Sequence, residues 1–167
     1  PSLNADLRQQ LCDAAVWLAD DVSLCGLATF EFLVDPKPTR HAPAFAFIEA
    51  NPRLQVEHTV TEEVTGIDLI ALQLELLRGA TLKKLGLKQD EIPEPRGFAV
   101  QLRVNMEKIA ADGSIKPSGG TLRRFAPPAG PGVRVDTFGY EGYTTNPGFD
   151  PLLAKLIVHG PDFVSTM

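Results

Sequence analysis

Residues 47–58 read Phe-Ile-Glu-Ala-Asn-Pro-Arg-Leu-Gln-Val-Glu-His, with polar side chains at every second position: Glu49, Asn51, Arg53, Gln55 and Glu57. In extended backbone, alternate side chains point the same way. One face would therefore offer two carboxylates, two amides and a guanidinium. Carboxylate and amide oxygens are hard ligands suited to a divalent cation. A planar guanidinium grips a planar oxyanion through paired hydrogen bonds. Such a set suits chemistry on an anionic, metal-bound substrate. A solvated edge strand could carry the same alternation. This segment, however, follows directly on the apolar run Phe45-Ala46-Phe47-Ile48, as a strand entering a core does.

A hairpin is expected to hold the first of these groups. Residues 28–34 alternate like a strand, with Phe30, Phe32 and Val34 on one face and Thr29, Glu31 and Leu33 on the other. Residues 44–50 form the second, antiparallel strand, and the proline-rich stretch 35–43 forms the loop between them. If Glu31 pairs with Glu49, then Phe32 pairs with Ile48 and Val34 with Ala46. That register gives one apolar face and puts both carboxylates on the other. Like charges directly opposite on a sheet are destabilising, and a cation between them removes that cost. The alternative is a pair held apart by water.

The remaining pattern predicts an α+β chain with two subdomains, 1–93 and 94–167. An amphipathic helix is expected over 4–20, capped by Asn4, with Leu7, Leu11, Ala14, Ala15 and Leu18 on its apolar face and Trp17 packed rather than functional. After an irregular stretch, Asn51–Val60, comes a short helical turn at 61–65. A second helix, Leu69–Arg78, is capped by Asp68 and stopped by Gly79. It is apolar around most of its circumference, which predicts burial on more than one side. A charged, proline-containing linker covers 80–96. Gly97–Asn105 then alternates, with Phe98, Val100, Leu102 and Val104 on one face and Gln101, Arg103 and Asn105 on the other. Pro117-Ser118-Gly119-Gly120 signals a turn, and strands are expected at 121–125, 133–138 and 153–158. Residues 162–167 read as a helix just beginning, and Pro1 opens almost directly on one. Both ends therefore predict a fragment of a longer chain.

Composition narrows the function classes. The 167 residues are 44% hydrophobic and 22% charged, with 16 basic and 21 acidic side chains for a formal charge of −5. No basic stripe points to nucleic acid. No apolar run reaches the ~18 residues of a membrane span. Cys12 and Cys25 lack metal or redox spacing and predict two buried, reduced thiols in a reducing compartment.

The run Glu49-Ala-Asn-Pro-Arg-Leu-Gln-Val-Glu-His-Thr-Val-Thr-Glu62 resembles the signature of the biotin carboxylases. These are the ATP-grasp enzymes of acetyl-CoA, pyruvate and related acyl-CoA carboxylases. The likeness continues through Ala28–Leu33, Thr65–Leu69, Arg96–Asn105, Pro117–Gly120, Gly132–Asp136 and Phe149–Leu156. It implies the C-terminal half of an ATP-grasp fold followed by a truncated, β-rich biotin carboxylase C-terminal subdomain. It also implies ATP- and bicarbonate-dependent carboxylation of biotin through carboxyphosphate. By resemblance Glu31, Glu49 and Asn51 hold Mg²⁺ or Mn²⁺ against the ATP phosphates. Arg53, Gln55 and the Val56 N–H bind bicarbonate. Glu57 is the general base, and Arg103 stabilises the enolate of the biotin ureido group. The plainer alternatives are a structural ion pair for Arg53 and Glu57, and a surface arginine for Arg103. His58 is expected to orient the loop that bears Glu57. His41 and His159 receive no role. Asp150 and Lys155 are expected to be structural, at a subunit contact shared with Arg134.

The family's partners would be a biotin carboxyl carrier domain, a carboxyltransferase domain or subunit, and a second copy in a homodimer, in the cytoplasm or an organellar matrix. The loop 35–43 is longer than in compact bacterial members, and Met106-Glu107-Lys108 departs from the usual acidic run. The family's nucleotide lid and phosphate-binding lysines would precede this segment, so the chain alone is expected to be inactive. Two other readings are a carbamoyl-phosphate-synthetase-like enzyme, which shares Glu-x-Asn-Pro-Arg but not Gln55–His58, and a non-catalytic assembly module.

Overall fold

The computed structural model describes residues 3–35, 44–89 and 91–167. Most of the expected loop 35–43, with His41, lies outside them. The chain divides into two compact units, Pro1–His58 with Asp68–Ile92, and Thr59–Ile67 with Pro93–Met167. Helices and strands are mixed, as expected for an α+β chain.

In the first unit, helix α1 (Ala5–Asp21) begins where Asn4 accepts a hydrogen bond from Leu7 N–H at 2.7 Å. Leu7, Leu11, Ala14, Ala15 and Leu18 are its half-buried stripe. Trp17 falls outside that stripe and is 66% exposed, so it does not pack as expected. The cysteines also differ from expectation. Cys12 is only half-buried, and Cys25, in the connection after α1, is exposed; both are free thiols. The hairpin strands β1 (Thr29–Val34) and β2 (Phe45–Asn51) follow. Helix α2 (His58–Thr65), which belongs to the second unit from Thr59 onward, starts at His58, earlier than the expected turn.

Helix α3 (Leu69–Leu77) is capped as expected. Asp68 accepts from Ala71 N–H at 2.8 Å, and Gly79 takes φ +87° just past the end. Its burial is not as expected, because none of its residues is buried and Leu77 is 71% exposed. The side chain that anchors it is polar: Gln73 accepts from Leu27 N–H at 2.8 Å, beside Gly26. Hydrophobic content sets what a helix could bury, not which neighbours it meets.

The second unit is built on an antiparallel sheet ordered β3 (Phe98–Asn105), β9 (Leu152–Gly160), β7 (Val133–Thr137). Central β9 carries the buried core residues Leu153, Ala154 and Ile157. Ile157 has no exposed surface, a burial worth about 1.5–3 kcal/mol. Directly paired residues share a face. One face is therefore Phe98, Val100, Leu102 and Val104 with Leu156, Val158, Val133 and Val135. The other is polar around the buried Ile157 and has two rows, Gln101–Ile157–Arg134 and Arg103–Lys155–Asp136. The alternation expected for 97–105 is thus present. Gly97 (φ +67°) is required where β3 begins, since a Cβ there would run into the Gly160 carbonyl.

The expected strand 121–125 shrinks to β6 (Gly120–Thr121), paired with β8 (Thr144–Thr145). A small hairpin, β4 (Glu107–Ile109) with β5 (Ile115–Pro117), was not legible, because three residues are too few for a periodic signal. Helix α4 (Phe163–Thr166) opens on an Asp162–Ser165 capping box.

Two polar side chains on α2 are almost inaccessible, Thr59 at 0% and Glu62 at 9% exposure. Both are satisfied on the polar sheet face, as buried polar groups must be. Thr59 Oγ1 donates to Gln101 Oε1. Glu62 accepts from Arg134 Nη1 at 2.8 Å, with Glu63 adding a contact at 3.3 Å. Arg134 also grips Asp136 through two hydrogen bonds of 2.8 and 3.0 Å.

The Arg134 hydrogen bonds are the main cause holding the Asp136 carboxyl below the usual carboxylate range, with burial acting against them. The depressed folded pKa means that this contribution to stability is present above the unfolded value, near 3.9, and is lost as pH falls through the folded pKa. Thermal unfolding followed below about pH 4 should therefore show a shallower acid loss in Asp136→Asn than in the parent chain. Equal slopes would contradict the assignment.

Candidate functional site

The hairpin brings three of the expected residues together. Glu31 on β1 pairs with Glu49 on β2, and Thr29 with Asn51. The flanking register departs from expectation. Phe32 pairs with Phe47 and Val34 with Phe45, because the pairing shifts between Glu31 and Phe32. Ile48 is the extra residue of a β-bulge and is 56% exposed.

The bulge has a packing cause. Strict alternation would put Phe45, Phe47 and Glu49 on one face. One inserted residue turns Glu49 to the Glu31 side while both phenylalanines meet Phe32 edge-on, at ring distances of 5.6 and 5.9 Å. The aromatic cluster and the carboxylate pair thus occupy opposite faces of the same two strands.

Asn51 completes the cluster. Its Nδ2 donates to Glu31 Oε1 at 3.1 Å and to Glu49 Oε1 at 2.9 Å. The amide N–H groups lie between two carboxylates that would otherwise repel. Glu31 and Glu49 are exposed, and Asn51 is half-buried. Among the described residues no group of three or more His, Cys, Asp or Glu forms a metal cage. The donor set here is two carboxylates and one amide.

The expected strand-like alternation does not run on to Glu57. β2 ends at Asn51, because Pro52 has no N–H to extend the ladder. Arg53 N–H turns back to Asn51 O at 2.8 Å, and its guanidinium donates to Leu54 O at 3.3 Å. Val56 and Glu57 form a turn leading into α2. The Gln55 carbonyl closes that turn, accepting from His58 N–H at 3.3 Å and from His58 Nδ1 at 2.7 Å. A carbonyl can only accept, so Nδ1 carries the proton. Nε2 is buried without a hydrogen-bond partner. The ring is tied to the loop that bears Glu57.

Arg103 belongs to the second unit, exposed on the polar face of β3 beside Gln101 and opposite Lys155. Asp150 caps the start of β9, accepting from Leu152 N–H at 2.8 Å, and borders an apolar cavity of about 370 Å³ with Phe138, Tyr143 and Phe149. His159 contacts Arg96 O at 2.8 Å.

Residues 1–85 match the family described as carbamoyl-phosphate synthase L chain, ATP binding domain. Residues 101–167 match the biotin carboxylase C-terminal domain. The chain is 41% identical over 162 residues to the biotin carboxylase of Nostoc sp., covering 97% of this chain and 34% of that protein. A solved single-chain, multi-domain long-chain acyl-CoA carboxylase is 49% identical with a TM-score of 0.86, over 98% of this chain and 17% of that one. The biotin carboxylase domain of a single-chain bacterial carboxylase is also 49% identical, with a TM-score of 0.80, over 97% of this chain and 35% of that one.

The chain belongs to the biotin carboxylase family. It spans about a third of the length of the Nostoc relative. The first family description is named for carbamoyl-phosphate synthase, and the second, which covers the strands around Arg103, is that of the biotin carboxylase C-terminal domain. Residue order alone assigns no role to Thr59, Gln101 and Glu62, which the structure engages in buried polar contacts. The available signal was two polar residues three apart on α2, one turn of a helix face that turns out to be buried.

Proposed function

We propose that this chain is the metal-, bicarbonate- and biotin-facing part of a biotin carboxylase, which carboxylates biotin on a carrier domain at the expense of ATP. The observation that carries the reading is the Asn51 amide bridging Glu31 and Glu49 across the hairpin. Two carboxylates and an amide oxygen are the hard, incomplete donor set that Mg²⁺ or Mn²⁺ takes when substrate phosphates supply the rest. Asn51 need only present its oxygen in place of its nitrogen. When bound, the ion neutralises the phosphate charge of ATP.

In this reading the rest of the chain supplies binding and proton transfer. The Arg53 guanidinium, the Gln55 amide and the Val56 N–H hold bicarbonate. The Glu57 carboxylate removes the bicarbonate proton, so that a bicarbonate oxygen attacks the γ-phosphate, ADP leaves and carboxyphosphate forms. Carboxyphosphate breaks down to carbon dioxide and phosphate, the phosphate takes the biotin N1 proton, and Arg103 stabilises the negative charge that develops on the ureido oxygen as N1 captures the carbon dioxide. A carboxyltransferase would then consume carboxybiotin, and the intact enzyme would be a homodimer of the cytoplasm or an organellar matrix. No described helix is long and apolar enough to cross a membrane.

The test is ADP release by the full-length parent. It should require bicarbonate, rise with free biotin and ignore ammonia. Ammonia dependence without a biotin response would replace this reading with the carbamoyl-phosphate one. The isolated 167-residue chain should show no bicarbonate-dependent ADP release above background.

A further inference from the structure

We propose that Lys155 and Asp136 are positioning residues for Arg103; the inference rests on the biotin-side role given to Arg103 above. The three occupy one row on the polar face of the β3-β9-β7 sheet, with Arg103 paired to Lys155 and Lys155 paired to Asp136. Two cations directly opposite on neighbouring strands repel. Lys155 is only 12% exposed, so water screens its charge weakly. The arrangement is therefore costly unless a partner or an anionic ligand offsets it.

Asp136 offsets it from the far side. Its Oδ2 lies 3.3 Å from Lys155 Nζ, on β7 and away from β3. Asp136 is itself immobilised by the two Arg134 hydrogen bonds, and Arg134 is anchored to Glu62 of α2. Along the row a carboxylate therefore stands on one side of Lys155 and the Arg103 position on the other. Lys155 is drawn toward β7. Its remaining positive field raises the potential where an oxyanion would meet the Arg103 guanidinium. Lys155 needs no contact with the substrate for this.

Free biotin is the probe, in the full-length enzyme. Lys155→Met keeps the length of the side chain and removes its charge. It should lower kcat for biotin carboxylation by about tenfold, the scale of a misaligned reacting group. KM for biotin and biotin-independent, bicarbonate-dependent ATP cleavage should stay within about twofold. Lys155→Arg should recover most of the lost kcat, since the charge returns. Arg103→Met is run in parallel. Unchanged biotin carboxylation in Lys155→Met, beside a large loss in Arg103→Met, overturns this inference and leaves the Arg103 role standing. A parallel fall of both activities in Lys155→Met, or no rescue by Lys155→Arg, also overturns it, because Lys155 would then be structural. Full activity in Arg103→Met removes the role on which the inference rests.

Discussion

Glu49→Gln in the full-length enzyme is expected to reduce bicarbonate-dependent ATP cleavage by about 10²–10³-fold, the range for losing one preorganised charge at a reacting phosphate. The amide keeps the length of the side chain and an oxygen that can still accept from Asn51 Nδ2, now 2.9 Å from Glu49. What disappears is one of two negative charges on the shared face. Mn²⁺ affinity, measured by titration in the presence of nucleotide, should weaken with the rate. Stability should move the other way. Relieving two carboxylates opposed across a strand pair is worth about 0.2–1 kcal/mol, so the unfolding midpoint should hold or rise slightly. Lost activity with a lowered midpoint would instead mark Glu49 as a structural residue.

Glu57→Gln is expected to cost about 10²–10⁴-fold in the same reaction, because a general base typically contributes that much. Glutamine fills the same volume but cannot take a proton. The turn at Val56-Glu57 is held from outside by the His58 ring on the Gln55 carbonyl, so the backbone there should be unchanged. The loss should appear in ATP cleavage whether or not biotin is present. Arg103→Met should behave differently, sparing the biotin-independent cleavage and suppressing carboxylation. A Glu57→Gln enzyme that cleaves ATP normally with bicarbonate would exclude Glu57 as the base.

The separation between these two phenotypes follows from the separate steps proposed for Glu57 and Arg103. Glu31, Glu49 and Asn51 lie in the first unit, and Arg103 lies on the sheet of the second. The polar sheet face gives Arg103 charged neighbours on its own unit, whatever the substrate. The ion pairs around Arg134 are engaged within that unit.

Local chemistry made much of this legible from residue order. Asn4 and Asp68 cap helices with their own side chains three residues on, an interaction that needs no distant partner. The alternation of Phe98–Asn105 assigned both faces of β3. The opposition of Glu31 and Glu49 was a supposed register, and in the structure it depends on the bulge at Ile48. The strand-like alternation expected as far as Glu57 stops at Asn51. Pro52 was in plain view and ends the ladder there.

Packing between distant segments settled the remainder. The bulge at Ile48 exists because Phe45 and Phe47 need the Phe32 side of the hairpin while Glu49 needs the other. Thr59 meets Gln101 across 42 positions, and Glu62 meets Arg134 across 72. The exposure of Trp17, Cys25 and Leu77 belongs to the same class. Residue type states what a side chain can bond to or bury. Which partner it gets depends on where the folded backbone carries segments far apart in the chain.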